Sequence, residues 1–133
     1  MSTATIEVQF PGGKRVDARV GDFLIRTDQS VKGGGEASAP EPFDLFLASL
    51  ATCAGIFALG FCQSRDLPTG GLGLRMVCER DDARRMIRLV RFQLDLPQGF
   101  PEKYRAGIVR AMELCAVKRH MNEAPEFAFE LSP

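Results

Sequence analysis

The residues of this 133-residue chain best suited to chemistry are its four cysteines, Cys53, Cys62, Cys78 and Cys115. His120 is the only histidine, and no two cysteines have the close spacing that structural zinc sites use. We therefore expect no metal site and no bound cofactor, so any chemistry should be that of thiols. Because the thiolate is the nucleophile, a reactive cysteine also needs a group that lowers its pKa.

Helix geometry separates the four thiols. Residues 45–64 carry no charge and predict a long apolar helix that holds both Cys53 and Cys62. Nine residues place these two about 13 Å apart along the axis and on opposite faces, so they cannot form a disulfide. Cys115 lies on the apolar face of a second predicted helix, and both helices should pack against one core. Cys53 and Cys115 are the candidate pair, although free cysteine is also commonly a small buried hydrophobe.

Four basic residues of the N-terminal strands are candidates for stabilising a thiolate at Cys53. Cys53 lies in the middle of its predicted helix and gains little from the helix dipole, so a cation would have to come from elsewhere. Basic side chains on strands more often lie on a solvated face. The sequence leaves open which of the four reaches Cys53. They are Lys14, Arg15, Arg19 and Arg26.

Hydrophobic periodicity predicts an α+β fold with the element order βββ-α-ββ-α-β, in a single domain of residues 1–133. Apolar residues alternate with polar ones in three N-terminal segments, and again in two segments after the long helix. A second helix begins near Pro101 and ends before Pro125, and Phe127, Phe129 and Leu131 predict a last strand. The glycine-rich segment 29–42 predicts a loop, because it lacks the spacing of a phosphate-binding motif.

The charge balance limits the classes of partner. Seventeen basic and seventeen acidic residues give a formal net charge of zero, so we expect neither nucleic acid nor membrane as a partner. The N-terminus does not resemble a secretory signal, so we expect a cytoplasmic protein. A helix that is apolar on all sides must be buried on all sides. One chain of this size can hardly surround it, so we predict a homodimer that packs this helix against its twin.

Two segments resemble the OsmC/Ohr family, that of osmotically inducible protein C and the organic hydroperoxide resistance proteins. The segment APEPFDLFLASLATCAG, Ala39–Gly55, resembles the entrance and central helix with its reactive cysteine. The segment AMELCAVKRH, Ala111–His120, resembles the second-cysteine helix, although the family usually has proline where this chain has Ala116. Chain length and element order agree with the family over essentially the whole sequence.

The resemblance implies an OsmC-like fold and an intertwined homodimer, in which two central helices are wrapped by β-sheets. It also implies a thiol-dependent peroxidase that reduces organic hydroperoxides in defence against oxidative stress. Cys53 would attack the O–O bond and become a sulfenic acid, and Cys115 would condense with it to a disulfide. A dithiol of lipoyl type would then reduce that disulfide.

The family pattern also assigns Arg15 and Asp44 to the site. Ohr-type members have arginine directly after a Gly-Gly turn; here a lysine intervenes before Arg15. Their helper glutamate lies ten residues before the reactive cysteine, where this chain has Phe43, so Asp44 is the nearest acid. If the helix already includes Asp44, that residue faces away from Cys53. It would then act in the partner's site or cap the helix.

A second class of function also fits the sequence. The same fold would serve as a non-catalytic module that binds a small hydrophobic ligand at the dimer interface. The two hypotheses predict different thiol chemistry, because the enzyme loses two thiols to one equivalent of an organic peroxide whereas the binding module keeps all four.

Overall fold

The computed structural model describes residues 1–133, which form two small sheets and three α-helices. The architecture is α+β, as the sequence predicts. The chain falls into an N-terminal unit, residues 1–48, and a C-terminal unit, residues 49–133, and helix α1 begins in the first and continues in the second. The elements are β1 (Glu7–Gly12), β2 (Arg15–Val20), β3 (Phe23–Thr27), α1 (Pro42–Gln63), β4 (Gly73–Asp81), β5 (Met86–Asp95), α2 (Arg105–Met112) and α3 (Ala116–Asn122).

The N-terminal unit contains the predicted three-stranded meander, with β2 paired antiparallel to both β1 and β3. The β1–β2 turn requires glycine, since Gly12 and Gly13 have φ of 140° and 59°, which residues with a Cβ rarely adopt. In the β2–β3 register, Val16 lies opposite Thr27. The strands therefore lie within one or two residues of their predicted positions.

Asp28 organises the loop that connects β3 to α1. Its carboxylate accepts hydrogen bonds from the backbone N–H groups of Gln29, Glu36 and Ser38, and from the Ser38 hydroxyl at 2.6 Å. These bonds, led by that from the Ser38 hydroxyl, lower the pKa of Asp28 to about 2. Asp28 is only 1% exposed. The glycine-rich loop is thus a structured turn built around one buried carboxylate.

In the C-terminal unit, α1 and α2 pack with the β4–β5 hairpin around a shared apolar core. The buried residues of α1 recur at helical spacing, and Ile108 and Met112 of α2 complete the cluster. Partly buried side chains from β5, such as Phe92 and Leu94, pack against it. The buried members on α1 are Ala54, Ala58, Phe61 and Cys62.

The prediction of one continuous second helix is wrong, because the structure divides this region into α2 and α3. A short 3-10 turn, Glu102–Tyr104, precedes α2, which ends at Met112; α3 begins only at Ala116. Apolar residues recur at helical spacing up to Cys115, across the end of α2, whereas α3 has no buried residue. Periodicity alone therefore did not reveal the break between α2 and α3.

The predicted last strand is also wrong, so the order is βββ-α-ββ-α-α rather than βββ-α-ββ-α-β. Residues 124–133 have no regular secondary structure. Phe127, Phe129 and Leu131 are 78%, 95% and 98% exposed. A strand exists only where another strand accepts and donates its backbone hydrogen bonds. Neither sheet of this chain includes the segment, so its alternating pattern has no partner within one copy.

Helix α1 is long and apolar enough to span a membrane by length and composition alone. The core helix of a soluble protein meets the same criterion, so this property does not distinguish the two settings. Within the C-terminal unit one face of α1 joins the core, whereas Ile56 on another face is 58% exposed. The complete burial that the sequence predicts for this helix is not reached within a single copy.

Candidate functional site

The structure brings the Cys53 and Cys115 thiols together within the C-terminal unit. Both are free thiols, and the Cys115 S–H lies within hydrogen-bonding reach of the Cys53 sulfur. Cys115 is buried at 2% exposure, whereas Cys53 is half-buried. Two residues far apart in the sequence thus form a pair of adjacent sulfur atoms. The pairing itself agrees with the sequence prediction, and a catalytic role for the two thiols remains a prediction.

Residues next to each cysteine anchor it to the apolar core. Cys53 directly precedes Ala54, which is 2% exposed and belongs to the apolar cluster. On the other side, Ile108 and Met112 anchor α2 in the same cluster. Cys115 lies three residues past Met112, in the break between α2 and α3, and is itself buried. Core packing of α1 against α2 therefore places the two sulfurs close together.

The break between α2 and α3 exposes backbone donors beside these sulfurs. Cys115 is the residue that precedes α3 and has an extended backbone, with φ −49° and ψ 124°. The first helical hydrogen bond of α3 runs from Arg119 N–H to Cys115 O at 3.0 Å. The amides of Ala116 and Val117 therefore have no carbonyl acceptor within α3. Both point towards Cys53 and lower its pKa.

The environment of the pair separates the two pKa values. The Cys115 thiol lowers the pKa of Cys53 most strongly, followed by the Val117 amide, and both outweigh burial. Burial raises the pKa of Cys115, and its hydrogen bond to Cys53 raises it further; the amides of Lys118 and Val117 oppose this rise. The pKa of Cys53 therefore lies below that of Cys115. Of the two thiols, Cys53 is thus the one that ionises more readily.

The structure gives Arg15 and Asp44 local partners in the N-terminal unit. The Arg15 guanidinium donates from Nε to Gly12 O at 3.3 Å and from Nη2 to Pro11 O at 3.4 Å. The Asp44 carboxylate accepts from the backbone N–H of Glu41 at 3.1 Å, as in a helix capping box. This bond matches the capping role that the sequence offered for Asp44. Catalytic roles for both residues stay predictions.

The sequence did not reveal the role of the Ala116 and Val117 amides, because every residue except proline has a backbone N–H. The sequence predicted that a cation activates Cys53, whereas the groups that lower the pKa of Cys53 are a thiol and two amides.

The other two cysteines lie apart from the Cys53–Cys115 pair. Cys62 is fully buried, which raises its pKa, and Cys78 lies on β4. No three histidine, cysteine, aspartate or glutamate side chains converge as a metal site requires.

An apolar cavity of about 510 Å³ lies beside Cys115. Its volume falls within the range of small-molecule sites. Cys115 forms part of its wall, but Cys53 does not. Three charged residues, Arg105, Glu113 and Lys118, also line it. The apolar lining comes from α1, β5 and α2 and consists of Ala54, Val90, Phe92, Leu94, Leu96, Ile108, Val109 and Met112.

The fold and the facing sulfurs define a class of small α+β proteins in which one cysteine on a long apolar helix meets a second from a later helical segment. The sequence model of a family described as OsmC-like protein matches residues 33–130, which is most of the chain. The chain therefore belongs to the OsmC-like protein family. A search of curated proteins finds no match to this sequence.

Solved structures share the fold over nearly the whole chain. One is an osmotic stress induced and detoxification response protein from Psychrobacter arcticus, with 21% identity and a TM-score of 0.73, covering 90% of this chain and 88% of that one. An OsmC-like protein from Mycoplasma pneumoniae has 15% identity and a TM-score of 0.70, with coverage of 92% and 89%. An organic hydroperoxide resistance protein OsmC from Legionella pneumophila has 16% identity and a TM-score of 0.56, with coverage of 91% and 90%. At these identities the similarity establishes the fold alone.

Proposed function

We propose that this OsmC-like protein is a cysteine-based peroxidase that reduces organic hydroperoxides. The observation that carries the proposal is the contact between the Cys53 and Cys115 thiols, in which Cys115 acts as hydrogen-bond donor to the Cys53 sulfur. The family and the hydroperoxide resistance protein among the similar structures support the same chemistry. The role would be defence against oxidative stress.

The reaction begins with the Cys53 thiolate. Its sulfur attacks the distal oxygen of ROOH, the O–O bond breaks, and the alkoxide leaves and takes up a proton to become ROH. Cys53 is then a sulfenic acid. The Cys115 sulfur attacks the sulfur of that sulfenic acid, loses its proton and releases hydroxide, which together give water. The product is a Cys53–Cys115 disulfide, and two electrons have passed from the thiol pair to the peroxide.

The geometry suits both steps. The amides of Ala116 and Val117 and the Cys115 thiol stabilise negative charge on Cys53 before attack. The two sulfurs are neighbours, so disulfide formation needs no unfolding of α1. The surrounding core is apolar, which favours a hydroperoxide with a hydrocarbon group over hydrogen peroxide. A dithiol of lipoyl type is the proposed reductant, in the reducing environment of the cytoplasm.

We further propose an intertwined homodimer with paired central helices. Large apolar side chains remain exposed along α1, the N-terminal strands and the C-terminal segment, more than a monomer usually presents to water. The unpaired segment 124–133 would gain a strand partner from a second copy. Analytical ultracentrifugation tests the assembly. The exposed residues include Ile6, Phe10, Phe23, Ile56, Phe127, Phe129 and Leu131.

The decisive experiment counts thiols after one equivalent of cumene hydroperoxide. We expect two thiols to disappear and peptide mass spectrometry to find the Cys53–Cys115 disulfide. Cys53→Ser should abolish peroxide reduction, whereas Cys115→Ser should leave a sulfenic acid on Cys53 that dimedone traps. Cys78→Ser is the matched control, because Cys78 lies on β4 and should not affect turnover. Four surviving thiols in the folded parent protein would refute the proposal.

The predicted roles of Arg15 and Asp44 enter the proposal through the family pattern. Arg15→Ala should reduce peroxide turnover, and Arg19→Ala tests a second of the four candidate cations on the same strand. Asp44→Ala should reduce stability by about 1 kcal/mol, because it removes the bond to the Glu41 amide at the start of α1. If Arg15→Ala turns over peroxide as fast as the parent protein, Arg15 has no part in the reaction.

The cavity of about 510 Å³ supports a second candidate function, the binding of a small hydrophobic ligand without catalysis. A ligand that binds only the folded state stabilises it by RT ln(1 + L/Kd), where L is the ligand concentration, so the unfolding temperature rises with ligand concentration. The binding module predicts such a shift with a medium-chain alcohol while all four thiols survive peroxide. Loss of two thiols decides for the enzyme.

A further inference from the structure

Positive charge is concentrated at the closed end of the β4–β5 hairpin. The whole chain has no formal net charge, yet residues 80–91 contain five arginines and two aspartates, a local charge of +3. Arg91 forms an ion pair with Glu79. The other four arginines are exposed, and their side chains have no ion pair or hydrogen bond within the chain. The arginine tip consists of these four residues, Arg80, Arg84, Arg85 and Arg88.

The four arginines of the tip share one end of the hairpin. Arg80 lies near the end of β4, and Arg84 and Arg85 lie in the turn that leads to β5. Arg88 on β5 is the extra residue of a β-bulge, because the strand register gives it no partner on β4. Four positive side chains therefore lie within nine consecutive residues of a chain that folds back on itself. Their mutual repulsion is relieved when anions lie among them.

The two aspartates of the turn leave this positive charge uncompensated. The Asp81 carboxylate accepts a hydrogen bond from the backbone N–H of Arg84 at 3.2 Å, so it serves the turn itself. Asp82 is exposed, and its carboxylate has no ion pair or hydrogen bond. Neither aspartate forms an ion pair with an arginine of the tip.

Arg85 has a backbone conformation that does not suit arginine. Its φ is 56°, in the left-handed region that glycine and asparagine adopt most readily. The Arg85 side chain makes no hydrogen bond or ion pair within the chain that would offset this strain. A turn optimised for stability alone would have glycine at this position. The arginine is therefore better explained by a group outside the chain that its side chain contacts.

We propose that the arginine tip docks this protein on an anionic phospholipid membrane, with its guanidinium groups on lipid phosphates and Met86 among the headgroups. Guanidinium binds phosphate through two parallel hydrogen bonds, and the tip contains no lysine. The expectation of no membrane partner came from the net charge of the whole chain. A membrane surface attracts charges only within about one Debye length, so the local charge of the tip decides.

The side chains around the tip favour a lipid surface over nucleic acid. Met86 is 61% exposed and Leu89 is 39% exposed. Apolar side chains beside arginines suit the boundary between headgroups and acyl chains. Residues 79–91 contain no aromatic side chain on which an unpaired base would stack, and no asparagine or glutamine to pair with adenine.

Co-sedimentation of the full-length, reduced protein with vesicles tests the docking. The vesicles contain phosphatidylcholine alone or with one-third phosphatidylglycerol. We expect binding to the mixed vesicles only, and its loss between 0.1 M and 1 M salt, where the Debye length falls from about 10 Å to about 3 Å. Equal binding to both kinds of vesicle, or binding to neither, would overturn the inference. Binding to a single-stranded DNA oligonucleotide without binding to mixed vesicles would assign the tip to nucleic acid and overturn it as well.

A matched pair of charge variants tests whether the tip is the docking surface. Arg84→Gln and Arg110→Gln each remove one positive charge from an exposed arginine, and Arg110 lies on α2, outside the tip. One arginine near an anionic membrane strengthens binding about fivefold. Arg84→Gln should therefore lower the vesicle partition coefficient about fivefold, whereas Arg110→Gln should leave it nearly unchanged. Equal losses in the two variants would show that binding follows the overall charge, against the inference.

Two further variants separate docking from folding. Asp82→Asn removes a negative charge from the turn and should strengthen vesicle binding by up to about fivefold, a gain that misfolding cannot produce. Arg85→Gly should weaken binding by a similar factor while the melting temperature stays the same or rises, because glycine relieves the left-handed strain. Unchanged vesicle binding in these two variants would contradict the role of the tip.

Met86→Ser tests the apolar part of the contact. The variant should weaken vesicle binding at every salt concentration, by up to about tenfold. Unchanged binding would refute the insertion of Met86 and, with it, the preference for lipid. Vesicle binding is measured without peroxide, and the count of thiols lost to cumene hydroperoxide needs no vesicle. The docking and the peroxidase can therefore be refuted independently of each other.

Discussion

Replacing Cys115 by alanine or serine isolates its effect on the reactivity of Cys53. The Cys115 thiol is the largest cause of the lowered pKa of Cys53. Cys115→Ala removes that donor, whereas Cys115→Ser supplies an O–H in nearly the same place. Neither variant forms the disulfide. Any difference between them in the first chemical step therefore reports the hydrogen bond to Cys53.

The size of the effect follows from two opposing terms. A hydrogen bond to a charged acceptor contributes roughly 1.5 kcal/mol, so its loss lowers the thiolate fraction of Cys53 about tenfold at a pH where the thiol is mostly protonated. A more basic thiolate is intrinsically a better nucleophile, by about threefold for this change. Cys115→Ala should therefore be about three- to fourfold slower than the parent protein at the acid end of the pH range, where the thiol is mostly protonated. At high pH, where both are fully ionised, it should be about threefold faster.

The assay is alkylation of Cys53 by iodoacetamide between pH 5 and 10, quantified by mass spectrometry of the peptide that contains Cys53. The profiles of the parent protein and Cys115→Ala should cross, and Cys115→Ser should follow the parent. Circular dichroism checks that each variant is folded. Superimposable profiles for the alanine and serine variants would refute the role of Cys115 as donor to the Cys53 thiolate.

Three further substitutions test the structure around the site. Gly35→Ala should destabilise by about 2–3 kcal/mol in urea unfolding, because a Cβ there would overlap the Gln29 carbonyl and lie 2.6 Å from Asp28 Oδ1; unchanged stability would contradict this packing. The lowered pKa of Asp28, about 2, makes its contribution to stability full above pH 4 and lost as the pH falls through 2. Asp28→Asn should therefore flatten the urea midpoint over that window, and an unaltered acid dependence would count against the role of this carboxylate. Gly60→Ala should stabilise α1 by about 0.5–1 kcal/mol, since nothing lies within 4 Å of its Cβ position; a lower melting temperature would show that another surface packs there.

Most of the fold could be predicted because its elements follow local rules. Strict alternation defined the strands of both sheets, and the uncharged run 45–64 defined α1, which the structure places at Pro42–Gln63. The C-terminal strand was wrong for a non-local reason. Alternation shows that Phe127 and Phe129 suit a pleated surface, but a strand also needs an edge to pair with, and one copy offers none.

The pairing of Cys53 with Cys115 could be predicted because the apolar spacing of each predicted helix includes its cysteine, and two such helices must share one core. The groups that activate Cys53 could not be predicted from the sequence. Its donors include the amides of Ala116 and Val117, which become available only because the helix breaks at Cys115. Continuous apolar spacing conceals that break, so sequence reasoning turned to Lys14, Arg15, Arg19 and Arg26 instead.

The contact between two sulfurs so distant in sequence also couples the redox state of the protein to its stability against unfolding. A Cys53–Cys115 bond would close a loop of roughly 60 residues that contains the β4–β5 hairpin and α2. Cross-linking a chain over that length restricts its unfolded ensemble by about 4 kcal/mol in the loop-entropy treatment. The oxidised protein should accordingly outlast the reduced one under heat or protease. Reduction of the disulfide would then also make the chain more susceptible to unfolding and to proteolysis.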